Sequence, residues 1–448
     1  MIKQILCLFL IFFSTSLAKA QTAVVKVVET ENGYSLIRNG EPYYIRGAGG
    51  DTQLDELLYL GGNSIRTWSA DDAQEVLDLA QKNGLTVMMG LWVQHERHGF
   101  NYDDELAVKK QLEKFTSIVE KFKDHPALLL WGIGNEVDLF YSNTKVWNAI
   151  QDIAAMIHRI DPNHPTSTVT AGLDSMEVQL IKANAPDIDI YGINTYGDIG
   201  AVHKNLKRFG WSGPYIIAEW GPNGHWEVAK TAWGAPIEQS STEKAASYKN
   251  RYSEYISKDP YCIGSYVFLW GQKQETTSTW YGLFTADGHP TEPLDQLYTA
   301  WRGDIPPNSA PTIKDFKLDG KTADQNIYLK ADEKYSANIE YTDPDNDKVK
   351  VEWLIFPESS AQSSGGDFEN ALQPELGLFK KKTNNISEFI APKKEGAYRL
   401  FIFISDKGKR TAYANIPFYV IPRNENDPLP KNMNFKKQSL KDADSSTN

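Results

Sequence analysis

Between residues 43 and 302 the chain repeats one pattern of hydrophobic and polar positions. A short apolar run is followed by a polar loop and then by a segment with apolar residues at helical spacing, as in residues 104–123. The eight apolar runs are residues 43–50, 64–69, 86–93, 128–136, 167–172, 187–196, 214–221 and 262–271. Eight strand–helix units in about 260 residues predict a (β/α)8 TIM barrel. The near-continuous apolar runs fit parallel strands that are buried on both faces.

An open doubly wound sheet is the rival α/β architecture, and it normally carries a phosphate-binding loop. The run Gly47–Gly50 resembles such a loop but lacks the Gly-x-Gly-x-x-Gly spacing. We therefore interpret these glycines as positions where the backbone packs closely, and we prefer the closed barrel.

The pattern changes after the barrel. Residues 304–309 are a Pro/Ser-rich linker, and residues 310–423 alternate short strands with turns. This part predicts a C-terminal immunoglobulin- or fibronectin-like β-sandwich. The acidic run 343–347 is typical of a turn, with a calcium site as the weaker alternative. Residues 424–448 are predicted to be a disordered tail.

The N-terminus has the features of a secretory signal. Lys3, a short apolar run and the small-residue pattern Ala18-Lys19-Ala20 predict a signal peptide over residues 1–20. Residues 21–303 then form the catalytic barrel with a short N-terminal β extension over residues 22–42, which we expect to cover the barrel floor. We expect a secreted protein, in the periplasm or at the cell surface of a Gram-negative bacterium.

Composition narrows the classes of partner. The chain has 448 residues and a formal net charge of −11, and this acidity argues against nucleic acid and anionic membranes as partners. With only two cysteines, Cys7 in the predicted signal and Cys262, no internal disulfide is expected after cleavage. Aromatic residues make up 12% of the chain and include 12 Trp, whose flat faces suit either a large core or sugar rings. We expect a monomer.

Two glutamates follow barrel strands on opposite sides of the predicted mouth. Glu136 ends the fourth strand and Glu219 ends the seventh, and working groups of such barrels lie at these strand ends. Paired carboxylates across a cleft can cleave a glycosidic bond, one as a proton donor and the other as an ionised nucleophile. Arg66 can keep Glu219 ionised, and the neighbouring carboxylate can raise the pKa of Glu136. Retention of configuration requires carboxyl groups about 5–5.5 Å apart.

Further polar and aromatic residues at the strand ends are candidates for substrate binding. We expect Asn135 to bind a ring hydroxyl, Tyr196 to orient the nucleophile, and Trp270 to form the floor under the sugar at the cleavage point. Trp68 also lies at a strand end.

The motifs Gly134-Asn135-Glu136 and Ala218-Glu219-Trp220 resemble those of the retaining glycoside hydrolases of clan A. The resemblance covers residues 43–302. It implies that Glu136 is the acid/base and Glu219 the nucleophile. The residues Arg66, Asn135, Tyr196 and Trp270 also match clan positions, strand by strand.

Within the clan, a signal peptide, a barrel and one C-terminal immunoglobulin-like domain are similar to glycoside hydrolase family 158, whose members are endo-β-1,3-glucanases. Residues 264–284 also resemble the glucanosyltransferases of family 72. The resemblance therefore implies a secreted endo-β-1,3-glucanase that hydrolyses laminarin-type β-glucan. The alternatives are another β-glycanase (a β-mannanase or a β-galactosidase-like enzyme), a β-1,3-glucanosyltransferase, and a non-catalytic glycan-binding barrel.

Residues beyond the strand ends are further candidates for contacts with substrate. The loop 222–240 is long and carries Trp226 and Trp233, so we predict that at least one of them stacks on a sugar. The alternative is that they anchor the loop. The His95–His98 spacing lacks a third zinc ligand, which argues against a zinc site. We predict instead that His95 contacts substrate or supports the acid pair. No cofactor and no metal are expected, since side chains fill both chemical roles.

Overall fold

The computed structural model describes residues 22–361 and 365–422. The predicted signal peptide, residues 1–20, and the predicted tail, residues 424–448, lie outside the described residues. Both remain predictions.

Eight parallel strands close into a barrel, in which the last strand pairs with the first. This closure confirms the predicted TIM barrel and excludes the open doubly wound sheet. The strands are β4 (Ile45–Gly49), β5 (Ser64–Arg66), β6 (Thr86–Leu91), β7 (Leu128–Ile133), β8 (Thr166–Ala171), β9 (Ile190–Asn194), β10 (Tyr215–Trp220) and β11 (Cys262–Val267). Most of their side chains are buried, as expected for strands covered on both faces.

One helix follows each barrel strand along the chain. The helices are α1 (Leu54–Leu60), α2 (Ala73–Lys82), α3 (Glu105–Phe122), α4 (Lys145–Ile160), α5 (Ser175–Asn184), α6 (Val202–Phe209), α7 (Ser241–Arg251) and α8 (Pro293–Arg302). Helix α3 shows why they form: the Asp104 carboxylate caps the first turn by accepting from the Leu106 and Ala107 amides, while Phe115 and Val119 on one face are buried. Among the described residues, no helix combines the length and apolar character needed to cross a membrane.

A three-stranded antiparallel sheet precedes the barrel and covers its floor. It consists of β1 (Val25–Thr30), β2 (Gly33–Arg38) and β3 (Glu41–Tyr43). Val25 and Leu36 are buried in one cluster with residues of the barrel interior such as Met88. The N-terminal ends of the barrel strands are therefore closed, and only the opposite end is open for chemistry.

The C-terminal part is a sandwich of two four-stranded sheets. The first has the order β12-β14-β17-β16 and the second β13-β19-β18-β15. The strands are β12 (Thr312–Leu318), β13 (Ile327–Lys330), β14 (Lys334–Thr342), β15 (Lys350–Pro357), β16 (Phe379–Lys382), β17 (Ile386–Ile390), β18 (Gly396–Ser405) and β19 (Thr411–Ile421). The two sheets enclose their own apolar core around Trp353. The immunoglobulin- or fibronectin-like identity of this sandwich stays a prediction.

Buried polar contacts join the sandwich to the barrel. The Lys244 ammonium of α7 donates to the Glu238 carboxylate at 2.6 Å and to the Tyr413 hydroxyl of β19 at 3.2 Å. Glu238 also accepts from the Asn415 side chain of β19 at 2.6 Å. Because Lys244 and Glu238 are both buried, each depends on the other for the compensation of its charge.

Replacing Lys244 by alanine is expected to lower the free energy of unfolding by about 3–5 kcal/mol, because Glu238 would keep a buried charge without its partner. Chemical denaturation measures this loss. The matched control is Lys258→Ala, which removes an exposed ion pair to Glu254 and should cost at most about 1 kcal/mol. Equal losses of unfolding free energy in both variants would contradict the larger stabilising contribution assigned to the buried pair.

Candidate active site

The two glutamates lie at the open end of the barrel. Glu219 is within β10, and Glu136 follows β7 in a tight turn in which its own φ is 50° and that of Gly134 is 73°. A left-handed φ is uncommon for a residue with a side chain. The turn is held because the Glu136 amide donates to the Val169 carbonyl at 2.8 Å. The backbone therefore fixes the direction in which the Glu136 carboxylate leaves the strand.

Three donors from two strand ends, those of β5 and β9, hold the Glu219 carboxylate. Its Oε1 accepts from the Trp68 indole at 2.7 Å and from Arg66 Nη1 at 3.1 Å, while its Oε2 accepts from the Tyr196 hydroxyl at 3.1 Å. Glu219 is 5% exposed and Arg66 is 2% exposed. The guanidinium compensates the charge of the carboxylate, and the donors fix its orientation.

An amide network connects the two carboxylates. Asn194 Nδ2 donates to Glu136 Oε1 at 2.9 Å and to Asn135 Oδ1 at 3.1 Å. Arg66 Nη2 donates to the same Asn135 oxygen at 2.6 Å. Since Arg66 also binds Glu219, one connected set of hydrogen bonds positions both glutamates.

The pKa of Glu136 is raised from its ordinary value to about 7. Burial of the carboxyl is the largest cause, and the charge of Glu219 adds to it. The hydrogen bond from Asn194 and the charges of Arg66 and Arg97 act in the opposite direction. Glu136 is therefore substantially protonated at neutral pH beside a carboxylate that Arg66 compensates.

His95 lies next to this network and is buried, with 2% exposure. Its ring stacks between those of Trp92 and His98, with centroid distances of 4.8 and 5.1 Å. Burial lowers the pKa of His95 to about 4, and the Arg97 charge adds to this effect. His95 is a neutral ring within the wall of the site; its predicted contact with substrate stays a prediction.

Aromatic side chains line the side of Glu219. Tyr196, Phe268, Trp280 and Tyr281 form one buried cluster, with Trp68 packed against it. Trp226 meets Tyr196 edge to face at 5.8 Å and is 49% exposed. Trp226 thus lies at the rim of the site, and its stacking on a sugar stays a prediction.

Two predicted sugar-binding tryptophans lie elsewhere. Trp270 is 1% exposed, belongs to the core between the barrel and its helices, and donates its indole N–H to the Thr52 carbonyl at 2.7 Å. It cannot present a face to a sugar in this position. Trp233 is 6% exposed and packs on Tyr328 and Tyr419 of the sandwich. Trp233 therefore anchors the loop to the sandwich.

Sequence reasoning missed three parts of the site. Phe268 follows the last residue of β11 and contacts Trp68 and Tyr196, so an aromatic residue other than Trp270 lies beside the nucleophile. Asn194 is a polar residue at the end of β9 for which the sequence predicted no role, and its side chain donates to Glu136. The segment Gly365–Glu369 of the sandwich reaches the barrel mouth, and no local sequence pattern predicts this contact.

Within residues 22–361 and 365–422, no group of three or more His, Cys, Asp or Glu side chains is arranged to hold a metal ion. In the acidic run 343–347, Asp343 Oδ1 accepts from the amides of Asp345 and Asp347. These contacts are those of a turn.

Comparison with known proteins places the barrel near one family. Residues 51–229 match the family described as glycosyl hydrolases family 2, TIM barrel domain. The chain is similar to the β-glucuronidase of Paenibacillus borealis, with 24% identity over 322 residues that cover 62% of this chain and 52% of the relative. It is also similar to the β-glucuronidase of Canis lupus familiaris, with 27% identity over 189 residues that cover 38% of this chain and 27% of the relative.

A solved structure of Faecalibacterium prausnitzii β-glucuronidase has a TM-score of 0.49 and 20% identity, covering 62% of this chain and 52% of that chain. The chain spans about half the length of the Paenibacillus relative and about a quarter of the canine one.

These relatives correct the sequence-based prediction of activity. They are β-glucuronidases, and the matching barrel family is family 2. The predicted endo-β-1,3-glucanase activity on laminarin-type glucan is therefore wrong, and membership of family 158 is not shown. The family 2 match over residues 51–229 supports the broader resemblance to clan A glycoside hydrolases within that part of the barrel.

Proposed function

We propose that the chain is a retaining β-glycosidase with a barrel of the glycosyl hydrolase family 2 type. The observation that carries the proposal is the unequal environment of the two glutamates. Glu219 is bound by three donors, one of them the Arg66 guanidinium, while burial and the charge of Glu219 raise the pKa of Glu136 to about 7. Two carboxyl groups in such different environments can serve as nucleophile and acid.

Each role follows from these contacts. Glu136 protonates the glycosidic oxygen while Glu219 attacks the anomeric carbon, so the leaving group departs and a glycosyl–enzyme ester forms. Glu136, now ionised, takes a proton from water, and the resulting hydroxide displaces Glu219 with net retention of configuration. Asn194 binds both Glu136 and Asn135, so these two amides can position a ring hydroxyl beside Glu136.

The glycone that we propose to test first is β-D-glucuronate, because the curated relatives are β-glucuronidases. A neutral β-galactoside is the second candidate, and one observation favours it. Arg97 and Lys273, two cations near the mouth, are each paired with an acid of this chain, Asp367 and Glu275 respectively. A sugar carboxylate would have to compete with those acids.

The test compares 4-nitrophenyl β-D-glucuronide with 4-nitrophenyl β-D-galactoside, using the full chain and its Glu219→Gln variant. Release of 4-nitrophenol by the wild type alone supports the proposal, and the larger kcat/KM identifies the preferred glycone. Lack of turnover of both substrates, or equal release by the variant, would overturn it.

The Tyr196 hydroxyl donates to the nucleophile, so Tyr196→Phe is expected to lower kcat/KM by about 10- to 100-fold on whichever substrate is cleaved. The matched control is Tyr43→Phe at the barrel floor. It loses hydrogen bonds to the Asn63 carbonyl and the Thr86 hydroxyl and should lower thermal stability without a comparable loss of activity. A kcat/KM of the Tyr196 variant within twofold of the wild-type value would contradict the assigned contact.

A further inference from the structure

The segment Gly365–Glu369 of the sandwich lies across the open end of the barrel. On one side, Arg97 Nη1 binds the Asp367 carboxylate at 3.1 Å, and His98 Nε2 lies 3.5 Å from it. Arg97 and His98 follow β6. These contacts join residues about 270 positions apart in the chain.

On the other side, the same segment is held by the loop after β11. Lys273 Nζ donates to the Gly366 carbonyl at 2.7 Å, and the Thr276 amide donates to Glu369 Oε2 at 3.0 Å. Glu369 is 6% exposed. The segment is therefore anchored to loops from two different barrel strands and spans the space between them.

The N-terminal end of this segment, Gly365, reaches the carboxyl group of Glu136. A Cβ atom built on Gly365 would lie 3.3 Å from Glu136 Oε2, 3.0 Å from Arg97 Nη2 and 2.4 Å from Leu139 Cδ2. Gly365 has a φ of 58°, which also favours glycine. The backbone of the sandwich thus occupies space directly beside Glu136.

Resting on the proposed function, we propose that Gly365–Glu369 is a specificity-determining wall on the leaving-group side of the active site. The acid of a retaining glycosidase faces the glycosidic oxygen and hence the leaving group. A backbone beside Glu136 therefore limits the size of the group that fits there. Phe368, 84% exposed in the same segment, offers an aromatic surface to whatever leaving group enters.

The wall is tested by comparing leaving groups of different bulk on one glycone. The substrates are the 4-nitrophenyl and phenolphthalein glycosides of the sugar that the wild type cleaves. Asp367→Ala removes the anchor to Arg97 and is expected to raise the ratio of kcat/KM, phenolphthalein over 4-nitrophenyl, by about tenfold. Gly365→Ala narrows the same space and is expected to lower that ratio.

The matched control is Glu388→Ala, which removes ion pairs to Lys334 and Lys381 on the sandwich and should leave the ratio at its wild-type value. If the wild type is active and the ratio is unchanged in both the Asp367 and the Gly365 variants, the proposed wall is overturned and the proposed function still stands. A wild type that cleaves neither substrate would overturn the proposed function and the wall together.

Discussion

Replacing Glu219 by alanine is expected to lower kcat by at least about 10⁴-fold, because the variant lacks the carboxylate that forms the covalent intermediate. The Trp68, Tyr196 and Arg66 donors would remain around the space left by the carboxylate. Sodium azide should enter this space and attack the anomeric carbon from the face that Glu219 used. The rescued product is then the α-glycosyl azide, which NMR distinguishes from the β-anomer.

The amide variant Glu219→Gln separates the loss of the nucleophile from the loss of volume. It keeps the size of the side chain, so azide should rescue it poorly although it is as inactive as the alanine variant. A β-glycosyl azide from Glu219→Ala, or an active Glu219→Gln, would show that Glu219 is not the nucleophile.

Replacing Glu136 by alanine is expected to have an effect that depends on the leaving group. A poor leaving group needs protonation, so its kcat/KM should fall by about 10²–10⁴-fold. A 2,4-dinitrophenyl glycoside needs little protonation, so formation of its glycosyl–enzyme should change much less. Azide should now attack that intermediate in place of water and give the β-glycosyl azide, opposite in configuration to the product expected from Glu219→Ala.

The pH dependence follows from the raised pKa of Glu136, about 7. The acid must be protonated, so kcat/KM on a poor leaving group should be highest below this pKa and fall as the pH rises through it. The alkaline limb should disappear in Glu136→Ala. A wild-type profile that stays flat to pH 9, or a variant that keeps the limb, would contradict the assignment.

The sequence was sufficient for the barrel and for both glutamates, because each rests on a local pattern. The buried strands appear as continuous apolar runs, and a carboxylate directly after such a run marks the open end of the barrel, as at Glu136 after β7. Arg66 and Tyr196 were also located by this rule, and both contact Glu219.

The orientation of the aromatic side chains was harder to predict. Side chains alternate between the two faces of a strand, and this alternation ends with the strand. β11 ends at Val267. Beyond that point the orientation of Phe268 and Trp270 depends on loop packing, and Phe268 rather than Trp270 joins the cluster beside Tyr196. Trp270, the predicted sugar floor, is instead buried with its indole bound to the Thr52 carbonyl.

Contacts between the two domains could not be read from the sequence at all. Trp233 packs on Tyr419, and Arg97 binds Asp367; each contact joins distant parts of the chain. Such pairs depend on how the sandwich docks on the barrel, and neither hydrophobic spacing nor turn residues carry that information. The prediction of the substrate class was wrong for a related reason, because the strand-end motifs are shared by glycosidases that act on different sugars.

The measurement that tests the central claim most directly is the anomeric configuration of the first product. Hydrolysis of the 4-nitrophenyl β-glycoside that the wild type cleaves is followed by ¹H NMR, before mutarotation equilibrates the sugar. Double displacement through Glu219 predicts that the β-anomer appears first and the α-anomer grows in later. Initial appearance of the α-anomer would mean a single displacement by water and would contradict the assignment of Glu219 as nucleophile.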